Sequence, residues 1–500
     1  MASTRGCEPW NGWDSADPVA HVTRSSGQSF TRRELTATRP RYHRARLPSA
    51  RKERTTQETA PTPVPAASRP RLLRDRAAAL LAARRAPYAL LGVLSLLSLG
   101  ARAWWLDRPS KALIFDEAYY VNAARIILGL HVPGNDHYAG STPGLDPNQE
   151  HPPLGKLLIA LGMRLFGDGA LGWRILPLLF GSLAVLAMFW LARSAGGGAW
   201  LALGAAGLMA ADNLSMVHGR IATLDVFVVV FMLAAVALYL RERTVLAGGA
   251  LGLGCCVKLV APYTLVVLAL LEAGRVAVRS RGADLPLRRR AVDRLAPLAT
   301  CAAVTMLCYL GVLYGLDHFF SAYHNPLVHT RAMFDYAAKL TNPKGPEGIA
   351  SYPWQWLLNQ EPINYYTVNT NVLTDGKVTA THPVVAFQGL MNPAIITLAL
   401  PALFLAIHGA RRDRDDLSIL AAAWFLGTYL PFVVAGAPLG SFGNRISYLY
   451  YMVIVLPAVY LAVARLLSHR ALPRAVIAGY VCILGYWFEA LYPFRTWSGG

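Results

Sequence analysis

The chain predicts an all-α polytopic membrane protein, with about eleven transmembrane helices and two large loops on the non-cytoplasmic face. Three observations carry that expectation. Of 500 residues, 54% are hydrophobic and only 15% charged, against about 25% charged in an average soluble domain. The apolar residues fall in long blocks rather than short alternating runs, and the mean hydropathy is +0.34. The net charge of +19 sits in the N-terminal tail and in short links between apolar blocks, which is a pattern of membrane topology. A nucleic-acid binder would instead gather Lys and Arg into one stripe with interleaved aromatics, so no nucleic-acid partner is expected.

Residues 1–80 are rich in Arg, Ser, Thr and Pro, include Arg32-Arg33 and Arg51-Lys52-Glu53-Arg54, and show no apolar periodicity. They read as a disordered basic cytoplasmic tail without a secretory signal peptide, and anionic lipid is a natural partner for it. Residues 81–500 form the transmembrane domain. Its apolar blocks are 87–105, 173–192, 198–212, 221–240, 244–257, 259–274, 294–316, 389–408, 417–435, 446–466 and 474–490. The fifth and sixth, interrupted by Lys258 and Pro262, are either one bent element or two short helices. Alternate threading puts Arg84-Arg85, Arg241 with Arg243, the 275–294 basic run, Arg411-Arg412 and Arg465 with Arg470 and Arg474 on one side, which the positive-inside rule makes cytoplasmic. The loops 106–172 and 317–388 then share the opposite face. The six cysteines, Cys7, Cys255, Cys256, Cys301, Cys308 and Cys482, avoid those loops and lack metal-ligand spacing, which predicts neither disulfides nor a zinc site. A transporter would show internal repeats or paired broken helices, and the sequence shows no such repeat.

Chemistry concentrates in four places. Phe115-Asp116-Glu117-Ala118-Tyr119-Tyr120 places two carboxylates just outside the first span. Adjacent residues on a helix point about 100° apart, so one can face a cavity as a base while the other holds a cation or an Arg. A solvated loop with an N-capping Asp is the plainer alternative. Glu150-His151-Pro152-Pro153-Leu154-Gly155-Lys156 precedes an amphipathic stretch suited to the membrane surface, with Lys156 placed for a lipid phosphate or as an interfacial anchor. Arg174, Arg220, Asp225 and Lys258 are ionisable groups at membrane depth, which pair with one another or line a site. Arg220 with Asp225 reads equally as a structural pair. The second loop offers His324, His329, Ser351-Tyr352-Pro353-Trp354-Gln355-Trp356 and Tyr365-Tyr366, either as an aromatic belt or as a clamp for sugar or peptide.

Together these residues resemble the protein O-mannosyltransferases of the GT-C fold, over roughly residues 87–497. The family's Asp-Glu pair is similar to Asp116-Glu117, its preceding basic residue to Arg108, and its His-Pro-Pro-Leu-Gly-Lys stretch is intact at 151–156. Arg174 resembles the Arg opening the second span, and Lys258 the end of a Gly-rich segment, although Leu259 replaces the usual Trp. Pro353-Trp354 and Arg445-Ile446-Ser447-Tyr448 also look familial. The loop 317–388 is too short for the β-trefoil domain of the fungal and animal enzymes, so the likeness is to bacterial members. Its middle, Lys344 to Gly348, departs from the family's His-containing stretch.

The resemblance implies a multi-pass plasma-membrane enzyme that moves mannose from polyprenyl-phosphate-mannose to Ser or Thr of exported proteins, with the translocon a candidate partner. It implies Asp116 and Glu117 as catalytic residues and Arg108, Lys156, Arg174 and Lys258 as donor-phosphate ligands. His151, Pro353, Trp354, Arg445 and Tyr448 would serve the acceptor side. No metal and no cofactor are expected, because the leaving group bears one phosphate that Arg and Lys can neutralise. Related enzymes sharing the Asp-Glu pair glycosylate lipids or polysaccharides, and a lipid transporter is the non-enzymatic alternative.

Overall fold

The computed structural model describes residues 85–279, 287–374, 377–437 and 443–495, so the predicted tail at 1–80 lies outside the described residues. Each predicted apolar block contains a helix. In chain order these are α1 (Ala86–Ala103), α4 (Ala170–Ser194), α5 (Ala199–Ala211), α7 (Asp225–Leu240), α8 (Thr244–Val257), α9 (Tyr263–Arg279), α10 (Leu287–Phe320), α13 (Pro393–Asp413), α14 (Asp416–Gly436), α15 (Met452–Leu467) and α16 (Arg474–Ala490). Among the described residues, 6 helical segments are long and apolar enough to cross a membrane, in α1, α4, α10, α13, α14 and the segment Leu449–Leu467. The helices α5, α7 and α8 are apolar but shorter.

Local chemistry sets the boundaries. Asp415 caps α14 by accepting from the Ser418 N–H at 2.8 Å, and Asn392 caps α13 through Ala394 at 3.0 Å. The chain breaks between α8 and α9, where Lys258 is extended and Pro262 cannot donate a helical hydrogen bond. The two apolar blocks there are therefore two helices, and the break places Lys258 in the protein interior. The helix α7 is apolar all round and buried along most of its length between α4 and α8. On the other side of α8, close approach to α10 requires glycine: a Cβ at Gly252 would stand 2.5 Å from that of Cys308.

The segments between the spans are themselves structured. The first large loop holds α2 (Glu117–Ile127) and α3 (Leu154–Phe166). The second holds α11 (Pro326–Lys339), the short α12 (Pro353–Trp356), and an antiparallel hairpin of β1 (Ile363–Thr374) and β2 (Lys377–Gly389). A short α6 (Asn213–His218) links α5 to α7. The hairpin corrects the all-α expectation. Its register runs from Ile363 opposite Gly389 to Thr374 opposite Lys377. β-branched and aromatic residues make up most of β1 and nearly half of β2, and Asp375-Gly376 between them is a strong hairpin signal in the sequence. Ile363, Tyr365, Val385 and Phe387 bury its base, which the chain end straps: Ala386 donates to the Pro493 carbonyl at 2.7 Å and Arg495 to that of Val384 at 2.9 Å.

Candidate active site

The two acidic neighbours have separate fates. Glu117 opens α2 and is fully buried, with its carboxylate held bidentately by Arg174 of α4 at 2.8 Å from each oxygen. Backbone N–H groups of Ile114 and Ala222 donate to the same carboxylate, each at 2.8 Å. Arg174 spends its remaining donors on the carbonyls of Leu106, Arg108, Pro109 and Ala112. With every guanidinium N–H directed at protein, it has none to offer a phosphate. In this arrangement Arg174, expected from the sequence at the donor phosphate, fixes Glu117 and the 106–112 segment.

Asp116 precedes α2 without capping it, so its carboxylate is not consumed by its own helix. The residue before it, Phe115, holds a left-handed φ of 55°, a strained backbone of the kind that concentrates at functional sites. The Phe115 ring stacks on Tyr365 of the hairpin at 4.2 Å and meets Tyr450 edge-on at 5.4 Å. Both large loops thus meet beside Asp116. Burial pushes the Asp116 carboxyl up to about 7, with Lys258 opposing the rise and Asp225 and Glu150 adding to it.

Lys258 donates to Asp225 Oδ1 at 2.8 Å and lies over the rings of Tyr450 and Tyr451 at 5.5 and 5.8 Å. Asp225 is its one hydrogen-bond acceptor among the described residues, which leaves two ammonium protons for a ligand. The pairing also corrects the sequence-based match of Arg220 with Asp225. Arg220 instead donates to the Trp104 and Trp105 carbonyls at 2.8 and 3.1 Å and stacks near Phe494 at 5.0 Å.

The 146–156 segment is pinned from below. Lys156 is fully buried and directs its ammonium at Asp146 Oδ2 (2.5 Å), the Asn148 carbonyl (2.5 Å) and the His151 carbonyl (2.7 Å). Lys156, expected from the sequence at a lipid phosphate or as an interfacial anchor, thus directs its ammonium at protein groups. Asp146 also donates its N–H to the Phe320 carbonyl at the end of α10, at 2.6 Å. There a buried pair joins α10 to α11, with His329 Nδ1 2.8 Å from Asp317 Oδ1. On α3, Leu161, Leu165 and Phe166 are exposed opposite the buried Lys156 face. Burial, followed by the charges of Lys258 and Lys156, holds the His151 imidazole well below its ordinary value, with Arg445 adding a smaller push. Its Nδ1 is buried and has no hydrogen-bond partner among the described residues.

The remaining predicted residues divide between two places. Arg445 donates to the Ala337 carbonyl, and Tyr448 stacks on Tyr450 at 5.6 Å, beside Lys258. Arg108 is exposed over Trp105 at 4.8 Å and faces the hairpin residues Val368 and Val385 across a cleft. Pro353 is buried and its carbonyl accepts from Tyr429 at 2.9 Å, while Trp354 stacks on Tyr352 at 4.4 Å and is half exposed. No bond joins Arg108, Pro353 or Trp354 to Asp116. The sequence puts Glu150 and Tyr365 in chemistry-bearing stretches without giving either a role of its own; a strand pattern ending at Asp375-Gly376 marks the hairpin that bears Tyr365. Among the described residues, no cluster of His, Cys, Asp and Glu has the arrangement to hold a metal ion.

With this geometry in hand, likenesses to known proteins become informative. The family profile described as dolichyl-phosphate-mannose–protein mannosyltransferase matches residues 150–287. A polyprenol-phosphate-mannose–protein mannosyltransferase of Mycolicibacterium smegmatis is 26% identical over 478 residues, covering 82% of this chain and 89% of that one. Its counterpart in Corynebacterium glutamicum is 25% identical over 404 residues, covering 69% and 75%. In structure, the chain is similar to the Saccharomyces cerevisiae protein O-mannosyltransferase Pmt1–Pmt2 complex bound to the sugar donor, with a TM-score of 0.61 at 12% identity over 83% of this chain and 91% of that one. The GT-C fold and the resemblance to bacterial protein O-mannosyltransferases read from the sequence both hold.

Proposed function

We propose, from this likeness to the polyprenol-phosphate-mannose–protein mannosyltransferases, that the chain is a membrane-embedded glycosyltransferase. It moves mannose from polyprenyl-phosphate-mannose to Ser or Thr hydroxyls of exported proteins, in one inverting displacement on the non-cytoplasmic face of the bacterial plasma membrane. The observation that supports this reading best is the uncommitted Asp116 carboxylate, raised to about 7 and coupled to Lys258, which has protons to spare.

In this scheme Asp116 takes the proton of the acceptor hydroxyl as that oxygen attacks the anomeric carbon, help worth typically about 10² to 10⁴ fold. The bond from the anomeric carbon to the phosphate oxygen breaks, and charge grows on the departing polyprenyl phosphate. Lys258 meets that charge, and Arg445, whose field also reaches His151, stands near enough to share it. Arg445 is thereby moved from the acceptor to the donor side. The unpartnered Nδ1 of a neutral His151 suits a sugar hydroxyl. Glu117 and Arg174 fix the segment leading to Asp116, through Ile114 and the 106–112 carbonyls, and act by position. One leaving phosphate and two cations need no metal for charge balance, so activity should persist in a chelator.

The test is transfer of labelled mannose from polyprenyl-phosphate-mannose to a Ser/Thr-rich peptide by the wild type and Asp116→Asn. Labelled peptide with the wild type, sharply reduced in the variant despite retained donor binding, is the expected result. Equal labelling by the variant removes Asp116 as base. Label in lipid or glycan alone replaces the protein acceptor.

A further inference from the structure

The outer face carries a cleft of about 470 Å³ lined by Tyr138, Gln149 and Glu150 from the first large loop and by Tyr323, Tyr336 and Lys339 from the second. That volume falls within the range of ligand sites, about 300–1,000 Å³. Its walls are fixed in place. Asn148 donates to the Tyr138 hydroxyl at 2.6 Å, and the Tyr323 hydroxyl donates to Gln149 at 3.2 Å. Glu150 stands close enough to Tyr336 that its carboxylate, after the larger effect of burial, pushes the phenol up, and Lys156 grips the carbonyls of Asn148 and His151 on either side of Glu150. An isoprenoid chain would want an apolar groove, whereas a lining of tyrosines, amides and charges suits a polar extended chain.

The cleft also leads to the base. Glu150 is half-buried, between the buried Asn148 and the half-buried His151, and its charge adds to the rise at Asp116. At the rim stand Asp335, with a side chain 64% exposed and only a long 3.8 Å pairing to Arg331, and the outward Lys339. Two carboxylates therefore face one ammonium, with the carboxylate that is less exposed to water lying closer to the chemistry.

We propose that this cleft seats the acceptor chain, and that Glu150 makes the enzyme favour a Ser or Thr flanked by Lys or Arg over one flanked by Asp or Glu. The inference rests on the proposed transfer to a protein hydroxyl and adds a rule of acceptor choice to it. An acidic flank would meet Glu150 and Asp335 at close range and would also make Asp116 a less ready partner for the hydroxyl. A basic flank would pair with both.

The test uses the full-length enzyme with peptides carrying one Thr flanked by Ala, Lys or Glu, assayed at low and high salt. The wild type should show kcat/KM about tenfold higher for the Lys than for the Glu peptide at low salt, with the gap closing as salt screens it. Glu150→Gln should shrink the gap to about twofold and shift the acid limb of the pH profile downward, because a carboxylate that raises Asp116 is gone. Asp335→Asn, a surface change that threatens no buried contact, should narrow the gap by about twofold, acting through KM. A flat peptide series in the wild type, or an undiminished gap in both variants, overturns the cleft assignment. Failure of the wild type to label any peptide overturns the protein acceptor itself, a distinguishable result.

Discussion

Arg174→Ala separates two incompatible roles for the same residue. If Arg174 held the donor phosphate, its loss would raise the donor KM of an otherwise normal protein. The geometry says otherwise, because Glu117 is 0% exposed and Arg174 is its counter-charge, at 2.8 Å. Removing one partner of a buried pair costs about 3 to 5 kcal/mol, since the other charge is left without compensation. The carbonyls of Leu106, Arg108, Pro109 and Ala112 lose their donor as well, at about 1 kcal/mol or more for each one that water cannot reach. The two N–H groups from Ile114 and Ala222 remain on Glu117 and soften the loss without neutralising it. Against a typical total stability of about 5–15 kcal/mol, the variant should unfold at markedly lower temperature in detergent, and surviving molecules should lose kcat through a displaced Asp116. Glu117→Gln combined with Arg174→Ala should be less unstable than the sum of the single changes, since no buried charge is stranded. The assay is thermal unfolding alongside donor-titrated transfer. An Arg174→Ala protein with unchanged unfolding temperature and a raised donor KM would refute the positioning role and return Arg174 to the phosphate.

Transfer by the wild type should rise with pH through an acid limb near 7, because burial raises Asp116 and the base works only once ionised; a limb at ordinary carboxylate pH would contradict the assignment. Lys258→Met should raise the donor requirement by about tenfold or more and lower kcat as well, as expected for a cation meeting charge that grows in the transition state, and unchanged donor kinetics would remove Lys258 from the phosphate site. Lys156→Met should destabilise the protein by about 3 to 5 kcal/mol through the stranded Asp146, detectable as a lowered unfolding temperature, whereas a stable variant with a raised donor KM would restore its lipid-phosphate role.

The helices were legible in the sequence because lipid imposes a long apolar block on any span, and each block contains one. The Asp116 locus was legible for a related reason: carboxylates at a membrane edge need partners, and the adjacent pair had to diverge on a helix. The hairpin is hidden from hydropathy because its strands mix Asn, Thr, Lys and His with apolar residues and form no long apolar block, so its signal lies only in local strand and turn chemistry. The partners of the buried cations were a different matter. Arg220 and Asp225 lie five positions apart in sequence, but Lys258 reaches Asp225 only because the chain breaks between α8 and α9, a three-dimensional fact that spacing does not encode. Lys156 likewise reads as a surface cation until the 146–151 segment folds back over it.

The cations explain why two neighbouring acids can do different work. An Arg that is fully satisfied by protein lowers the cost of burying Glu117 and makes the start of α2 rigid. A Lys with protons to spare does less for Asp116, whose carboxyl stays high because burial outweighs that attraction. Giving Asp116 its own Arg would depress the carboxyl and leave a weak base; leaving Glu117 without one would unpin the helix that carries Asp116. The division of labour therefore lies in the second-span Arg and the Lys at the helix break at least as much as in the acidic pair itself.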